Sequence, residues 1–346
     1  MTKDEKERKE LMERVLSNKL VVKEKISTGI IELDAILNGG LSVGTMTQIV
    51  GEVSTGKTHL ALQVASSFCR QKKKVLFIDT KADITSSMFS KMEIDSYLGK
   101  NFFYICEAKF SSVEKLLDAF LTEETIDLIV IDSIAGLTNS GYLDLGSKGI
   151  KVNNKDSNND SKPLSILSNK IKKLAIDKNI CVLLTNEFRN KVQMYGAKGT
   201  IIKIYGPKKL QYESTNIIQI NPLGEKQKHC KMFKDLFVAL QNDGLGKLLE
   251  FQVIQSNEAK TDAYLPFFLE YGIGTSKLIP FIFMLCNNKD LVIKTGSYYE
   301  LKQSGIKENG MTNFSKKIKE YTKNKMFSNE KLTAFYRRLI DITIDL

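Results

Sequence analysis

The sequence holds only two histidines, His59 and His229. A His-rich metal centre is therefore excluded, and the adjacent His229-Cys230 reads as a surface pair rather than a ligand pair. Cysteine is sparse as well. Cys69, Cys106, Cys181, Cys230 and Cys286 are scattered with no C-x-x-C spacing, a pattern that points to reduced thiols in a cytosol. No apolar run reaches the length of a membrane span. The opening residues, MTKDEKERKELMERV, are charged throughout and lack the apolar stretch of a secretory signal. No internal repeat of the solenoid kind occurs. From these absences the expectation is a cytoplasmic protein with no membrane partner.

The chain has 346 residues, 42 % of them apolar. That is enough for a sizeable core, in one large domain with appendages or in two domains. Net charge is +11, which favours a polyanionic partner. Its distribution matters more. Phe188 to Lys209 carries six basic residues (Arg189, Lys191, Lys198, Lys203, Lys208, Lys209) and no acidic one. Nucleic acid needs such a local excess to displace counterions from its phosphates. Tyr195 and Tyr205 lie within it and can stack on bases. The competing reading is a solvated loop.

Gly51-Glu52-Val53-Ser54-Thr55-Gly56-Lys57-Thr58 is a complete G-x-x-x-x-G-K-T loop. Its glycines allow a tight turn in which successive N–H groups face an anion, Lys57 can reach outer phosphates, and the Thr58 hydroxyl can ligate Mg²⁺. Met46 to Val50 reads as the strand before it and His59 to Phe68 as the helix after it, so the loop sits on a helix N-terminus. Nucleoside triphosphate binding follows as an expectation.

Elsewhere the pattern predicts helices over 4–17, 32–37, 113–121 and 164–177, and buried strands over 74–79, 127–132 and 180–185. Strands alternating with helices imply a largely parallel sheet. Leu11, Met12, Val15 and Leu16 give the first helix an apolar face in need of a partner. Residues 151–163 are polar and of low complexity, with nothing to bury, and are expected to be disordered. Asp132, at the end of an apolar strand, can place its carboxylate near Mg²⁺.

Taken in order and spacing, these segments resemble the RecA family of strand-exchange recombinases over Ser27 to about Thr312. Ser27-Thr28-Gly29, Leu33-Asp34, Gly39-Gly40-Leu41 and Gly44 match the lead-in to the phosphate loop. Phe77-Ile78-Asp79 matches the second core strand, and Val130 to Thr138 matches the Mg²⁺ strand and the start of a first DNA loop. Thr185-Asn186-Glu187-Phe188-Arg189-Asn190-Lys191 is similar to the sensor segment and the opening of a second DNA loop. Tyr271-Gly272-Ile273-Gly274 and Gly296-Ser297-Tyr298-Tyr299 resemble the end of the core and a C-terminal motif of the bacterial and phage branch.

The resemblance implies an α/β fold: a RecA-type P-loop NTPase core with a central, mainly parallel sheet over 27–270. It also implies an N-terminal oligomerisation helix in 1–26 and a small C-terminal α/β domain in 271–346. It implies ATP and Mg²⁺ as cofactors, with Gly51, Ser54, Thr55, Gly56, Lys57, Thr58, His59, Asp132 and Met88 around the nucleotide. Thr58 and Asp132 would attend the metal, and Lys57 and Glu187 are the catalytic candidates. The implied partners are single-stranded and duplex DNA and further copies of the chain, in a helical filament. DNA contacts would come from Arg189, Lys191, Tyr195, Lys198 and Lys203, with the DNA loops at 139–163 and 188–206. The setting would be the cytoplasm of a bacterial cell or of a phage-infected host. The tail from Asn313, with eight basic and four acidic residues, reads either as a duplex-DNA surface or as a solvated helix face.

The chain also departs from the family's pattern. The glutamate that activates water, two residues past the second strand's Asp, is Lys81. A lysine ammonium has no acceptor and cannot orient water. Asp83 is near but wrongly spaced. The sensor glutamine is Glu187, either a displaced catalytic carboxylate or a charge partner for Lys81. The two lysines that reach the neighbour's nucleotide align with Gln255 and Asn257, although Lys260 is close. The aromatic that stacks on adenine aligns with Met88, which covers a ring less specifically. Three functions stay open: a recombinase, a RecA-like accessory protein that binds ATP and DNA with little hydrolysis, and a RecA-fold ATPase acting on something other than DNA. The basic second loop argues against the third.

Overall fold

The computed structural model describes residues 3–16, 23–123, 125–139, 161–191, 201–222, 246–276, 292–302, 305–310, 313–314 and 317–318. After α1 (Lys3–Leu16) come β1 (Lys25–Ile26), α2 (Ile31–Ile36) and β2 (Leu41–Ser42). The central run is β3 (Met46–Gly51), α3 (Lys57–Arg70), β4 (Val75–Asp79), α4 (Ser86–Lys91), β5 (Phe102–Cys106), α5 (Phe110–Glu123) and β6 (Leu128–Asp132). It continues through α6 (Ser161–Lys178), β7 (Cys181–Asn186), β8 (Phe188–Lys191), β9 (Ile201–Ile204), α7 (Lys208–Glu213) and β10 (Asn216–Pro222). Then come β11 (Gly246–Ser256), β12 (Tyr264–Glu270) and β13 (Gly274–Thr275), followed by β14 (Val292–Thr295), β15 (Tyr298–Leu301) and β16 (Ile306–Asn309).

Nine strands form one sheet in the order β13-β12-β11-β10-β3-β7-β6-β4-β5. The pairs from β10 to β5 are parallel, and β11, β12 and β13 continue the sheet antiparallel. The expected α/β core is thus present, with its antiparallel strands confined to one side. Both faces of the central strands β4, β6 and β7 are buried, which is why they are nearly continuous apolar runs. Side chains alternate accordingly. Val75 and Phe77 join the layer under α3 with Leu60, Val64 and Phe68. Leu76 and Ile78 point the other way, onto Val113 and Leu117 of α5 and Leu167 and Ile171 of α6. In the antiparallel part, Phe251 and Phe267 stack with ring centroids 4.0 Å apart.

The lead-in motif is a built turn. The Asp34 carboxylate accepts from the Thr28 N–H at 2.7 Å, from the Thr28 hydroxyl at 2.6 Å and from Ser27. The sheet extends past residue 270 because Gln63 on α3 holds Thr275: its amide N donates to Thr275 Oγ1 at 2.7 Å, and its carbonyl accepts the Thr275 N–H at 2.8 Å. β14, β15 and β16 form a separate antiparallel sheet that buries Tyr299 and Leu301 beside Phe314. The basic tail beyond 318, and His229-Cys230, lie outside the described residues. So do 151–160, most of the segment expected to be disordered; its last residues, 161–163, instead open α6, where Pro163 is tolerated because a first-turn residue needs no intrahelical N–H bond. Among the described residues no helix is long and apolar enough to cross a membrane.

Glu32 is buried in α2, and its carboxyl is pushed up to about 8, first by burial and also by the nearby Asp34, against a backbone hydrogen bond. In the unfolded chain it ionises near the ordinary value of 4.5. Between those values the unfolded state sheds a proton that the folded state keeps, so this group lowers stability as pH rises. Glu32→Gln should therefore raise the melting temperature at pH 8 and have little effect near pH 4.5. Melting curves of both chains across that range check this, and a stabilisation independent of pH would contradict it.

Candidate functional site

The site lies where β3, β4, β6 and β7 end together. Their parallel register sets Val50 beside Asn186 and Asp79 beside Asp132, so the four C-terminal ends share one edge. Ligands of open α/β sheets bind outside that edge.

From β3 the chain turns through Gly51–Thr58 into α3, with Ser54 at φ +63° and Gly56 at φ +82°. Gly56 is needed for its missing side chain too, since a Cβ there would lie 2.2 Å from Leu269 Cδ2. The buried Thr55 hydroxyl donates to the Glu52 carbonyl at 2.8 Å and ties the loop to itself. Among the described residues no side chain caps the start of α3 and its first turn carries no acid, so its N–H groups and positive dipole end face outward for an anion. Lys57 lies across the mouth of the loop, donating to the carbonyls of Gly51 at 2.9 Å and Glu52 at 2.6 Å. Burial, and then the like charge of Lys81, lower its pKa; Asp132, Glu187 and Glu52 act the other way.

Asp132 is buried at the end of β6. Its carboxylate accepts from the hydroxyls of Thr185 and Thr58. Burial is the main cause that pushes its pKa up, and the two hydroxyl bonds pull it back. A divalent cation would offset the cost of burying this charge, and Thr58 and Asp132 are already adjacent. Loop, uncapped helix, Lys57 and the Thr58–Asp132 pair together fit a nucleoside triphosphate with Mg²⁺. His59 is partly buried, and its pKa is lowered by burial and by Lys91. Met88, on α4, packs partly buried against the core.

The turn after β4 is anchored by Asp79, whose carboxylate accepts the N–H groups of Lys81 at 2.9 Å, Ala82 at 3.0 Å and Ile84 at 3.3 Å, and the Tyr104 hydroxyl at 2.9 Å. Lys81 reaches across to Glu187, Nζ to Oε2 3.7 Å. The other Glu187 oxygen lies 3.8 Å from Arg189 Nε. Glu187 thus stands between the nucleotide side and the basic segment.

That segment begins as a two-stranded ribbon in which β8 pairs antiparallel with β9 and Arg189 lies opposite Lys203. Directly opposed residues share a face, so Arg189 and Lys203 present their charges together. Lys191 ends β8; Tyr195 and Lys198 lie outside the described residues. Asn186 fastens the ribbon to the sheet, donating to Gln48 Oε1 and to the Tyr205 carbonyl, both at 3.0 Å.

A family model described as the RecA N-terminal domain matches residues 5–233. The chain belongs to the RecA family. It is 23 % identical over 311 residues to the protein RecA of Crocosphaera subtropica, covering 87 % of this chain and 79 % of that one. It is 27 % identical over 288 residues to the protein RecA of Fusobacterium nucleatum, covering 82 % and 69 %. The DNA repair and recombination protein RadB of Methanosphaera stadtmanae is 26 % identical over 195 residues, 54 % of this chain and 77 % of RadB.

Two expectations drawn from the sequence need correction on this RecA-family framework. Tyr205 does not offer its ring to bases: it is buried in the core, and the Arg189 guanidinium covers it at 4.0 Å. The loop expected at 139–163 does not extend to Pro163, because α6 already begins at Ser161. Gln255 turns inward, its amide donating to the carbonyls of Gln211 at 3.1 Å and Ser214 at 2.8 Å, which satisfies the end of α7. Thr185, Asn186, Thr80 and Asp79 also build the site, although the sequence does not mark them as ligand-binding residues. Polar residues at the ends of apolar strands are the available signal, since a polar group buried there must find a partner.

Proposed function

We propose that this chain is an ATP-dependent homologous-recombination protein that assembles as a helical filament on single-stranded DNA and promotes pairing and exchange with duplex DNA. The observation that carries this reading is the continuity from the phosphate loop, through Asp132 and Glu187, to the basic ribbon. Bound ATP–Mg²⁺ would supply a hydrolysable polyanion at the strand ends. Gly51–Thr58 binds it through backbone N–H groups, Lys57 neutralises its outer charge, and Thr58 and Asp132 hold the metal. Glu187 links that site to Arg189, so a shift of its partner on one side is felt on the other. Met12, exposed on α1, supports packing of that helix on a neighbouring subunit.

A second reading, a RecA-like accessory protein that binds ATP and DNA with little turnover, is favoured by Lys81 standing where the family has its catalytic carboxylate. Measured ATPase rates with and without single-stranded DNA separate the two. No stimulation, with DNA binding intact, selects the accessory role.

For DNA, Arg189→Ala combined with Lys203→Ala should weaken single-strand binding far more than it changes ATP affinity. The slope of log affinity against log salt should fall by about 0.7 for each phosphate that is no longer neutralised. Fluorescence anisotropy with a labelled oligonucleotide over a salt series checks this. An unaltered slope would show that the ribbon does not carry DNA.

A further inference from the structure

Resting on the reading that Gly51–Thr58 holds ATP, we propose that Lys81 supplies from within the same subunit the cation for the terminal phosphate, so that a single chain distinguishes ATP from ADP. The backbone there is held on both sides. Asp79 gathers the N–H groups of the turn, and the Thr80 hydroxyl accepts the Ser133 N–H at 2.8 Å and donates to the Ser133 carbonyl at 2.7 Å. The lysine stem crosses Gly136, where a Cβ would stand 3.1 Å from Lys81 Cγ and 2.3 Å from Thr80 Oγ1. A side chain there would clash with Thr80 and crowd the stem. The stem therefore delivers the ammonium to the shared strand edge, facing Glu187 and close enough for its charge to act on both Lys57 and Asp132.

The bond Lys81 makes there is a weak one. At 3.7 Å, with side chains 41 % and 23 % exposed, such an ion pair holds its partners only loosely, so a denser negative charge can draw the ammonium away. A terminal phosphate is such a charge, and a flexible lysine with three donors suits it. ADP lacks it. At the positions aligned with the family's trans lysines, Gln255 is spent on the end of α7 and Asn257 carries no charge. A cation at position 81 removes the need for one from a neighbour.

The test is calorimetric titration of the full-length chain with Mg–ATP and Mg–ADP, at concentrations where sedimentation shows single chains. The wild type should prefer ATP. Lys81→Met, which keeps the stem and loses the charge, should lose about tenfold or more in ATP affinity, the value of a charged hydrogen bond, with ADP affinity kept. Lys81→Arg should keep the preference. Thermal melting without nucleotide verifies that each variant is folded. An unchanged ATP-to-ADP ratio in Lys81→Met overturns the proposal, as does a wild-type preference that appears only when chains associate. Lys57→Ala is the separate control: if it leaves both affinities intact, the nucleotide reading itself is wrong.

Discussion

Lys57→Ala should leave the chain folded and unable to hold a nucleotide. The core side of α3 is carried by Leu60, Val64 and Phe68, and among the described residues Lys57 bonds to two loop carbonyls. Its removal therefore costs the fold little. The cost to binding is large. A hydrogen bond between charged groups is worth about 1.5–3 kcal/mol, and Lys57 can offer two to the outer phosphates. Affinity should fall by roughly 10²–10⁴-fold, and filament assembly that depends on ATP should vanish with it. Titration calorimetry measures the first and light scattering the second. A variant that binds ATP as the wild type does would remove the loop from the site.

The second large effect concerns turnover. Wild-type hydrolysis is expected to be slow, because a positioned general base contributes about 10²–10⁴ in rate and Lys81 cannot act as one. Lys81→Glu alone should recover only part of this. It sets a carboxylate against Glu187, where an ammonium now lies 3.7 Å away, and like charges at that range force one group to take up a proton or swing aside. Adding Glu187→Gln removes the conflict and offers an amide donor to the new carboxylate. The DNA-stimulated kcat should rise from wild type to Lys81→Glu to the double variant, by at least about tenfold overall. KM for ATP should rise as well, since the Lys81 charge is gone. Inward-facing Gln255, and Asn257, can still limit the gain. A brisk wild-type rate that drops in Glu187→Gln alone would identify Glu187 as the water-orienting group and overturn this account.

Much of this was readable along the chain. The largely apolar runs at 46–50, 75–79, 128–132 and 181–185 lie in strands buried along their length, the near-continuous pattern of a parallel sheet covered on both faces. The phosphate loop was readable because its geometry demands particular residues at fixed offsets. The antiparallel strands β11 and β12 were not anticipated. Their burial alternates only in part, and they join the sheet by pairing with β10, which no local pattern states. The burial of Tyr205 escapes the local pattern for a related reason. A basic neighbourhood suggests a surface, but Asn186 pulls the base of the ribbon onto the sheet and the tyrosine into the core.

The sequence by itself determined the family, the parallel core and the phosphate loop, because each rests on residue identity and spacing. Only the tertiary structure decided what Lys81 and Glu187 face. They are far apart along the chain, and the adjacency of β4, β6 and β7 brings them within 3.7 Å. It likewise decided that Gln255 is consumed within its own subunit and that Glu187 joins the nucleotide edge to Arg189. Pairings of this kind depend on strand order, and strand order is set by how the whole sheet buries its two faces.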